Sequence, residues 1–182
     1  MRLFTALDLP PDVLESVDAF LARLRPTARL AWSAVGNLHI TTKFIGEWPE
    51  EKLDALTAVL AGIPSRAVIA VHIRKVGFFP NPHSPRNFWC CIEAPGLADL
   101  AADTDRATAA LGIASEKRAY SPHLTLARIK ERLELQPLRE AIAAYPSLDF
   151  GRFEAASFFL YRSQLRPTGS VYTKLAEFPL SK

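Results

Sequence analysis

Cysteine is nearly absent from this chain of 182 residues: there are two, Cys90 and Cys91, and they are adjacent. Both fall in a segment, Asn87 to Glu93, that reads as a strand. Neighbours in a strand point to opposite faces, so the two thiols are poorly placed to bond to each other. With no third cysteine, a disulfide framework and a Cys-based zinc site are excluded. Histidine is also scarce, at 4 residues. No His-Glu-x-x-His or Asp/Glu cluster accompanies it, so no metal ligand set is expected. A Gly-rich loop of the nucleotide-triphosphate-binding kind is missing too. No apolar run approaches the ~20 residues of a spanning helix. The opening Met1 to Asp8 is broken by Asp8 and Pro10-Pro11 too early for a signal peptide. A soluble, cytoplasmic protein without membrane attachment is the expectation. The charge excess is small, a net +3. That suits an anionic ligand but lacks the dense Lys/Arg clusters of a protein that wraps long nucleic acid. No low-complexity stretch or linker divides the chain, and 49% hydrophobic residues supply ample core. One domain over 1–182, with two lobes, is expected.

What is present is a repeated tetrapeptide, His-x-Thr-x, at His39-Ile40-Thr41-Thr42 and at His123-Leu124-Thr125-Leu126. With 4 His and 10 Thr in the chain, random placement gives roughly 0.2 His-x-Thr matches, so two are a signal worth following. Each copy sits in a stretch that reads as a strand, where residues i and i+2 share a face. Each motif therefore presents an imidazole beside a hydroxyl, with apolar neighbours behind. Two such pairs across a groove would bring two proton-transfer groups and two hydrogen-bond donors to one anionic centre, as in-line cleavage of a phosphodiester requires.

Strands and helices interleave along the chain. Leu3 to Leu9 reads as a buried strand, and Asp12 to Leu24 as an amphipathic helix. A short strand at Leu30 to Trp32 leads to the motif strand Leu38 to Ile45. Pro49 opens a second helix running to Ile63. Val68 to Val76 and Asn87 to Glu93 read as partner strands joined by the Pro-rich turn 79–86. Leu97 to Leu111 is a helix, His123 to Ile129 the second motif strand, and Leu135 to Ala144 a short helix. Phe153 to Tyr161 and Val171 to Phe178 look like a closing antiparallel pair. This order predicts an α+β fold: a bilobal arrangement of two pseudo-symmetric lobes, each a mostly antiparallel sheet with outer helices, around a central cleft. Each half of the chain is expected to supply one lobe and one motif.

The flanks of the two motifs carry a resemblance. Arg2-Leu3-Phe4-Thr5-Ala6-Leu7-Asp8-Leu9-Pro10, Asn37 to Gly46, Gly77-Phe78-Phe79-Pro80, Tyr120-Ser121-Pro122-His123-Leu124-Thr125-Leu126-Ala127-Arg128, Tyr161-Arg162-Ser163 and Phe178-Pro179-Leu180 together make the chain similar to the 2H phosphoesterases, in their LigT-like group of RNA 2′,3′-cyclic phosphodiesterases. The resemblance implies a cleft lined by both motifs. It also implies hydrolysis of a cyclic phosphate at an RNA or nucleotide end to a 2′-phosphomonoester, with no cofactor or metal, and an association with 2′-5′ RNA ligation. Its usual roles make His39 the proton donor and His123 the proton acceptor; the residues alone do not say which is which. Thr42 stands where many relatives carry an aliphatic residue, and its parity points it away from the cleft. Thr5 replaces an apolar or aromatic residue, which the resemblance places by the base-binding wall.

Histidine suits both proton transfers because its ordinary pKa, about 6.5, lies near working pH. Thr41 and Thr125 are expected to donate hydrogen bonds to the non-bridging phosphate oxygens. Arg128 is a candidate phosphate or ribose clamp, although ideal strand parity turns it away from His123 and a bulge would be needed to re-aim it. Lys43 shares parity with His39 and Thr41 and is expected to add positive potential. Phe44 is a candidate to stack on a nucleobase, against the alternative of core packing. Tyr161, Arg162 and Tyr172 are weaker candidates, and His72 and His83 read as incidental. A monomer is expected. The rival class is a non-catalytic nucleotide or RNA-end binding module, which has no need of two histidines; within catalysis, metal-dependent hydrolysis and RNA end-joining are the alternatives.

Overall fold

In the computed structural model, which describes residues 1–167 and 169–181, proline and apolar spacing set the first elements. Strand β1 (Arg2–Leu7) stops ahead of Pro10-Pro11, and helix α1 (Pro11–Leu24) begins with Pro11 in its first turn, where a missing N–H costs nothing. The helix buries Val13, Val17, Phe20, Leu21 and Leu24 on one stripe, as the 3.6-residue period predicts. The chain continues through β2 (Ala31–Trp32), β3 (Ile40–Glu47), α2 (Leu53–Ala61), β4 (Ile69–Phe79), β5 (Asn87–Glu93), α3 (Leu97–Ala109), β6 (His123–Arg128), α4 (Gln136–Ala143), β7 (Asp149–Ala155), β8 (Ser157–Arg166) and β9 (Gly169–Pro179).

Among the described residues the strands form a four-stranded sheet, order β3-β1-β8-β9, and a five-stranded sheet, order β2-β6-β5-β4-β7. Every pairing is antiparallel. Helix α1 and strand β7 lie against each other, as do α3 and β3, and α2 and α3. Phe20 anchors α1 on the larger sheet, its ring 5.0 Å from Phe150 and 6.4 Å from Phe88. A buried Phe of this kind contributes about 1.5–3 kcal/mol by removal of apolar area from water. Gly151, at φ +122, takes a conformation that L side chains rarely adopt, and a Cβ there would come 3.2 Å from Val13. Helix α1 thus seats closely on β7.

The α+β class and the placement of one motif strand in each sheet match the expectation. The division of the chain between the sheets does not. The first sheet takes β1 and β3 from the N-terminus and β8 and β9 from the C-terminus, while the second takes the middle of the chain together with β2. The reason lies in β1. Its residues Leu3, Phe4, Thr5, Ala6 and Leu7 are all buried, so it needs a hydrogen-bonded neighbour on both edges. Strand β3 fills one edge and the returning hairpin β8–β9 fills the other. The stretch Phe153 to Tyr161, which reads as one strand, is accordingly cut at Ala156 and shared between β7 in one sheet and β8 in the other.

Candidate active site

His39 lies immediately before β3. Its Nδ1 is 2.7 Å from the carbonyl oxygen of Asn37. A carbonyl only accepts, so Nδ1 carries the hydrogen, and Nε2 is the atom left to exchange a proton. The Asn37 side chain in turn donates to the Ser170 carbonyl at 2.7 Å, tying this turn to the start of β9. The imidazole stacks on Phe4 at 4.6 Å between centroids and meets the edge of Tyr172 at 5.1 Å. Burial under these rings lowers the His39 pKa. The bond to Asn37 and the charge of Asp8 pull it back up, and the charge of His123 adds to the lowering.

The second motif repeats this geometry. His123 Nδ1 donates to the Ser121 carbonyl at 2.8 Å, again the residue two positions back, and again Nε2 is left. Its ring tilts against Trp89 at 4.7 Å. Ser33 Oγ donates to the Thr125 carbonyl at 2.8 Å, holding the strand from its outer edge.

Both motif strands then carry an extra residue at the same place. On β3, Thr5 and Ala6 of β1 pair with Lys43 and Thr41, so Thr42 is interposed. On β6, Phe88 and Trp89 of β5 pair with Ala127 and Thr125, so Leu126 is interposed. A bulge inverts the alternation beyond it. Thr42 and Lys43 both turn inward, as do Leu126 and Ala127, and the next residues, Phe44 and Arg128, return to the exposed side. The bulge that Arg128 required is present. Phe44 sits at the equivalent position of the other motif, 60% exposed, its ring 6.4 Å from Phe4.

The same inversion overturns the expectation for Lys43. It is 2% exposed and points into the protein, donating to Asp105 Oδ1 at 2.6 Å and to the Ala114 carbonyl at 2.7 Å. Lys43 is a strut between β3, α3 and the chain that leads to the second motif, and it adds nothing to the surface beside His39. Thr5 also departs from its expected place by the base-binding wall: it is fully buried, its hydroxyl 2.7 Å from that of Thr42. Phe4, one residue earlier, faces His39 instead.

Residues of β3 and β6 approach to within 8 Å, Cα to Cα. Tyr120, three residues before His123, donates its hydroxyl to the carbonyl oxygen of Thr41 at 2.8 Å. One hydrogen bond thus runs directly from the second motif's approach to the first motif. Burial raises the Tyr120 pKa, which keeps the phenol protonated and able to donate. On the far side of His39, Tyr161 donates to Asp8, and Lys174 Nζ reaches Asp8 Oδ2 at 2.6 Å while lying 3.6 Å above the Phe159 ring.

The fold therefore gathers His39, Thr41, Phe44, His123, Thr125 and Arg128 on one side of the two motif strands. It adds Phe4, Asp8, Trp89 and Tyr120, which sequence reasoning did not single out. Tyr120 lies three residues before a motif and Trp89 alternates with buried residues, but only pairing across strands reveals what they touch. Among the described residues no cluster of three or more His, Cys, Asp or Glu is arranged to hold a metal ion. A concavity of about 450 Å³ lies elsewhere, lined in part by His72, Glu93 and Arg152, and contains neither motif. There His72 contacts Asp149 at 2.9 Å. No helix among the described residues is long and apolar enough to cross a membrane.

Comparison with known proteins points the same way. The family described as LigT like Phosphoesterase matches residues 7–89 and 92–172. The chain is 34% identical over 178 residues to the RNA 2′,3′-cyclic phosphodiesterase of Methanocaldococcus jannaschii, covering 98% of this chain and 100% of that one. The crystal structure of the Thermus thermophilus protein TT0787 superposes with a TM-score of 0.81 at 32% identity, covering 99% of this chain and 98% of that one. The crystal structure of Escherichia coli LigT complexed with NADP+ superposes with a TM-score of 0.80 at 29% identity, covering 100% and 98%. By the extent of these matches and by its paired motifs, the chain belongs to the LigT-like phosphoesterase family.

Proposed function

We propose that the protein hydrolyses 2′,3′-cyclic phosphate ends of RNA or nucleotides to 2′-phosphomonoesters, with two histidines moving both protons. One observation carries the reading: each motif histidine binds a backbone carbonyl through Nδ1, leaving two Nε2 atoms for a shared phosphorus centre. Support also comes from the M. jannaschii relative, an RNA 2′,3′-cyclic phosphodiesterase. E. coli LigT has been crystallised with NADP+, a nucleotide that carries a 2′-phosphate.

In this scheme His123 Nε2 takes a proton from water as its oxygen attacks phosphorus. The bond from phosphorus to the 3′ oxygen breaks, and His39 Nε2–H delivers a proton to the departing alkoxide. The division of roles follows the family resemblance. Burial of His39 against Phe4 suits it to donation: a lowered pKa makes its protonated form a stronger acid. Proton transfer from each positioned imidazole contributes about 10²–10⁴-fold. Thr41 and Thr125 donate to the non-bridging oxygens as charge shifts toward the transition state. Arg128 supplies positive charge to the substrate's phosphates, and Phe44 offers an exposed aromatic surface for a base. A 5′ hydroxyl taking the place of water would be deprotonated by the same base and attack the cyclic phosphorus; the bond to the 3′ oxygen breaks, that oxygen takes the proton from the same acid, and a 2′-5′ phosphodiester results.

The test is product analysis on a nucleoside 2′,3′-cyclic phosphate in excess chelator. The expected product is the 2′-monoester, formed at an undiminished rate. His39→Ala and His123→Ala should each lose on the order of 10²–10⁴-fold in kcat. A 3′-monoester, a rate abolished by chelation, or near-parental activity in either variant would overturn the proposal.

A further inference from the structure

Three strands of the second sheet carry side chains in register on the face that holds His123. Strand pairing sets Cys91 opposite His123, Trp89 between Gly77 and Thr125, and Asn87 between Phe79 and Arg128. Residues directly opposite one another in a sheet project to the same face. Ring positions agree: Trp89 lies 4.7 Å from His123, and Phe79 lies 5.4 Å from Trp89. An aromatic line therefore leaves the second histidine and runs outward across the sheet. Gly77 makes it possible, because a Cβ there would stand 2.7 Å from Trp89 Nε1.

The outer end of this line is open and basic. Phe79 is 39% exposed, and Arg86 and Arg128 are both exposed. The carbonyl of Arg86 accepts from the Ile129 N–H at 2.8 Å, which holds the two arginines on adjoining backbone. From the His123 row to the Arg128 row is four residues along β5, or about 13 Å at the usual rise of a strand. That is beyond the phosphorus atom that both histidines address.

A mononucleotide has one base, and the first sheet already offers it an aromatic surface in Phe44. The second aromatic surface, with Arg86 at its outer end, is surplus to such a substrate. We infer that Phe79, Asn87, Arg86 and Arg128 form a subsite for the nucleotide preceding the cyclic end. Its base stacks on Phe79 and its phosphodiester is met by the arginines. Aromatic stacking platforms beside a basic track are how single-stranded nucleic acid is held with little regard to sequence. This inference rests on the cyclic-phosphodiesterase reading above and narrows it: the substrate is an oligonucleotide end, and the favoured length is at least two.

The experiment compares kcat/KM for a 2′,3′-cyclic mononucleotide, and for a dinucleotide and a trinucleotide ending in the same cyclic nucleotide. Stacking of one base predicts a preference for the dinucleotide of about 5- to 150-fold. The trinucleotide should gain little more. Phe79→Ala should erase most of that preference while leaving mononucleotide turnover within about twofold, which also serves as its folding control. Arg86→Ala should reduce the preference severalfold and flatten its decline with added salt. Equal kcat/KM for mononucleotide and dinucleotide in the parent overturns the subsite. So does an equal loss on both substrates in Phe79→Ala, which would instead place the terminal base on Phe79. Absence of hydrolysis of every substrate overturns the cyclic-phosphodiesterase reading itself, and the subsite with it.

Discussion

Replacing Lys43 with Met separates two readings of this lysine that have opposite consequences. On strand parity alone it stands beside His39 and Thr41 and would assist substrate binding. In the structure its side chain is 1% exposed and pairs with Asp105, whose side chain is 24% exposed, and more loosely with Glu116 at 3.8 Å. Lys43→Met keeps the packing of the stem, removes the charge, and leaves the Ala114 carbonyl and Asp105 without the lysine donor, Asp105 retaining the Glu116 N–H. Breaking a fully buried ion pair costs about 3–5 kcal/mol. Asp105 retains some water, so a loss of about 2–4 kcal/mol is expected here. At about 2–4 °C per kcal/mol for a chain of this size, Tm falls by roughly 5–15 °C. The pH dependence has a definite sign. Burial pushes the Asp105 pKa up, but the bonds from Lys43 and the Glu116 N–H outweigh it and hold the carboxyl below its usual range. A depressed carboxylate pKa stabilises the folded state above the unfolded value of about 3.9 and loses that contribution as pH falls through the folded one. Lys43→Met should therefore shrink the acid sensitivity of folding as well as its midpoint. Denaturant unfolding at neutral and acidic pH measures both. Unchanged stability within about 0.5 kcal/mol, with a raised KM for a cyclic nucleotide, would refute the strut and restore the substrate-facing reading.

Tyr120→Phe should keep the fold and loosen the bridge between motifs. One hydrogen bond of about 1 kcal/mol is lost, and kcat should fall about five- to tenfold with KM changed less. A lowered Tm with kcat intact would make Tyr120 a purely structural contact. Asp8→Asn removes a negative charge that raises the His39 pKa. In the proposed mechanism His39 is active while protonated, so the descending alkaline limb of the kcat/KM profile should move to lower pH; a limb unmoved or shifted upward would dissociate Asp8 from the proposed acid. Burial of His39 also implies that folding weakens as pH drops below about 6.5, where the unfolded chain binds the proton more readily. His39→Gln should remove that part of the acid dependence in an unfolding titration.

Several features were legible in the sequence because they depend on short-range rules. The apolar stripe of α1, the proline at its start, the alternation of β5 and the two His-x-Thr strands each follow from periods of 3.6 or 2. Face sharing within three residues put His39 with Thr41 and His123 with Thr125, and in each pair both residues are half-buried with a buried residue between them. The opposite directions of Cys90, buried in the core, and Cys91, half-buried on the other face, follow from the same rule.

Other features required the assembled molecule. Alternation predicted Lys43 on the reactive face and Arg128 off it unless a bulge intervened. Bulges after Thr41 and Thr125 reversed both, and the residues at the first of them meet distant partners: Thr5 for Thr42, and Asp105 with Ala114 for Lys43. The allocation of β8 and β9 to the N-terminal sheet likewise followed from the unfilled edge of β1, a demand made by a strand at the opposite end of the sequence. The sequence by itself determined the chemical groups and their local pairing, because a strand's geometry is written every two residues. Only tertiary structure decided which of the neighbouring cations stands on the exposed side and how the two motifs are tied together, because hydrogen bonds across strands, not positions along one, decide where the alternation breaks.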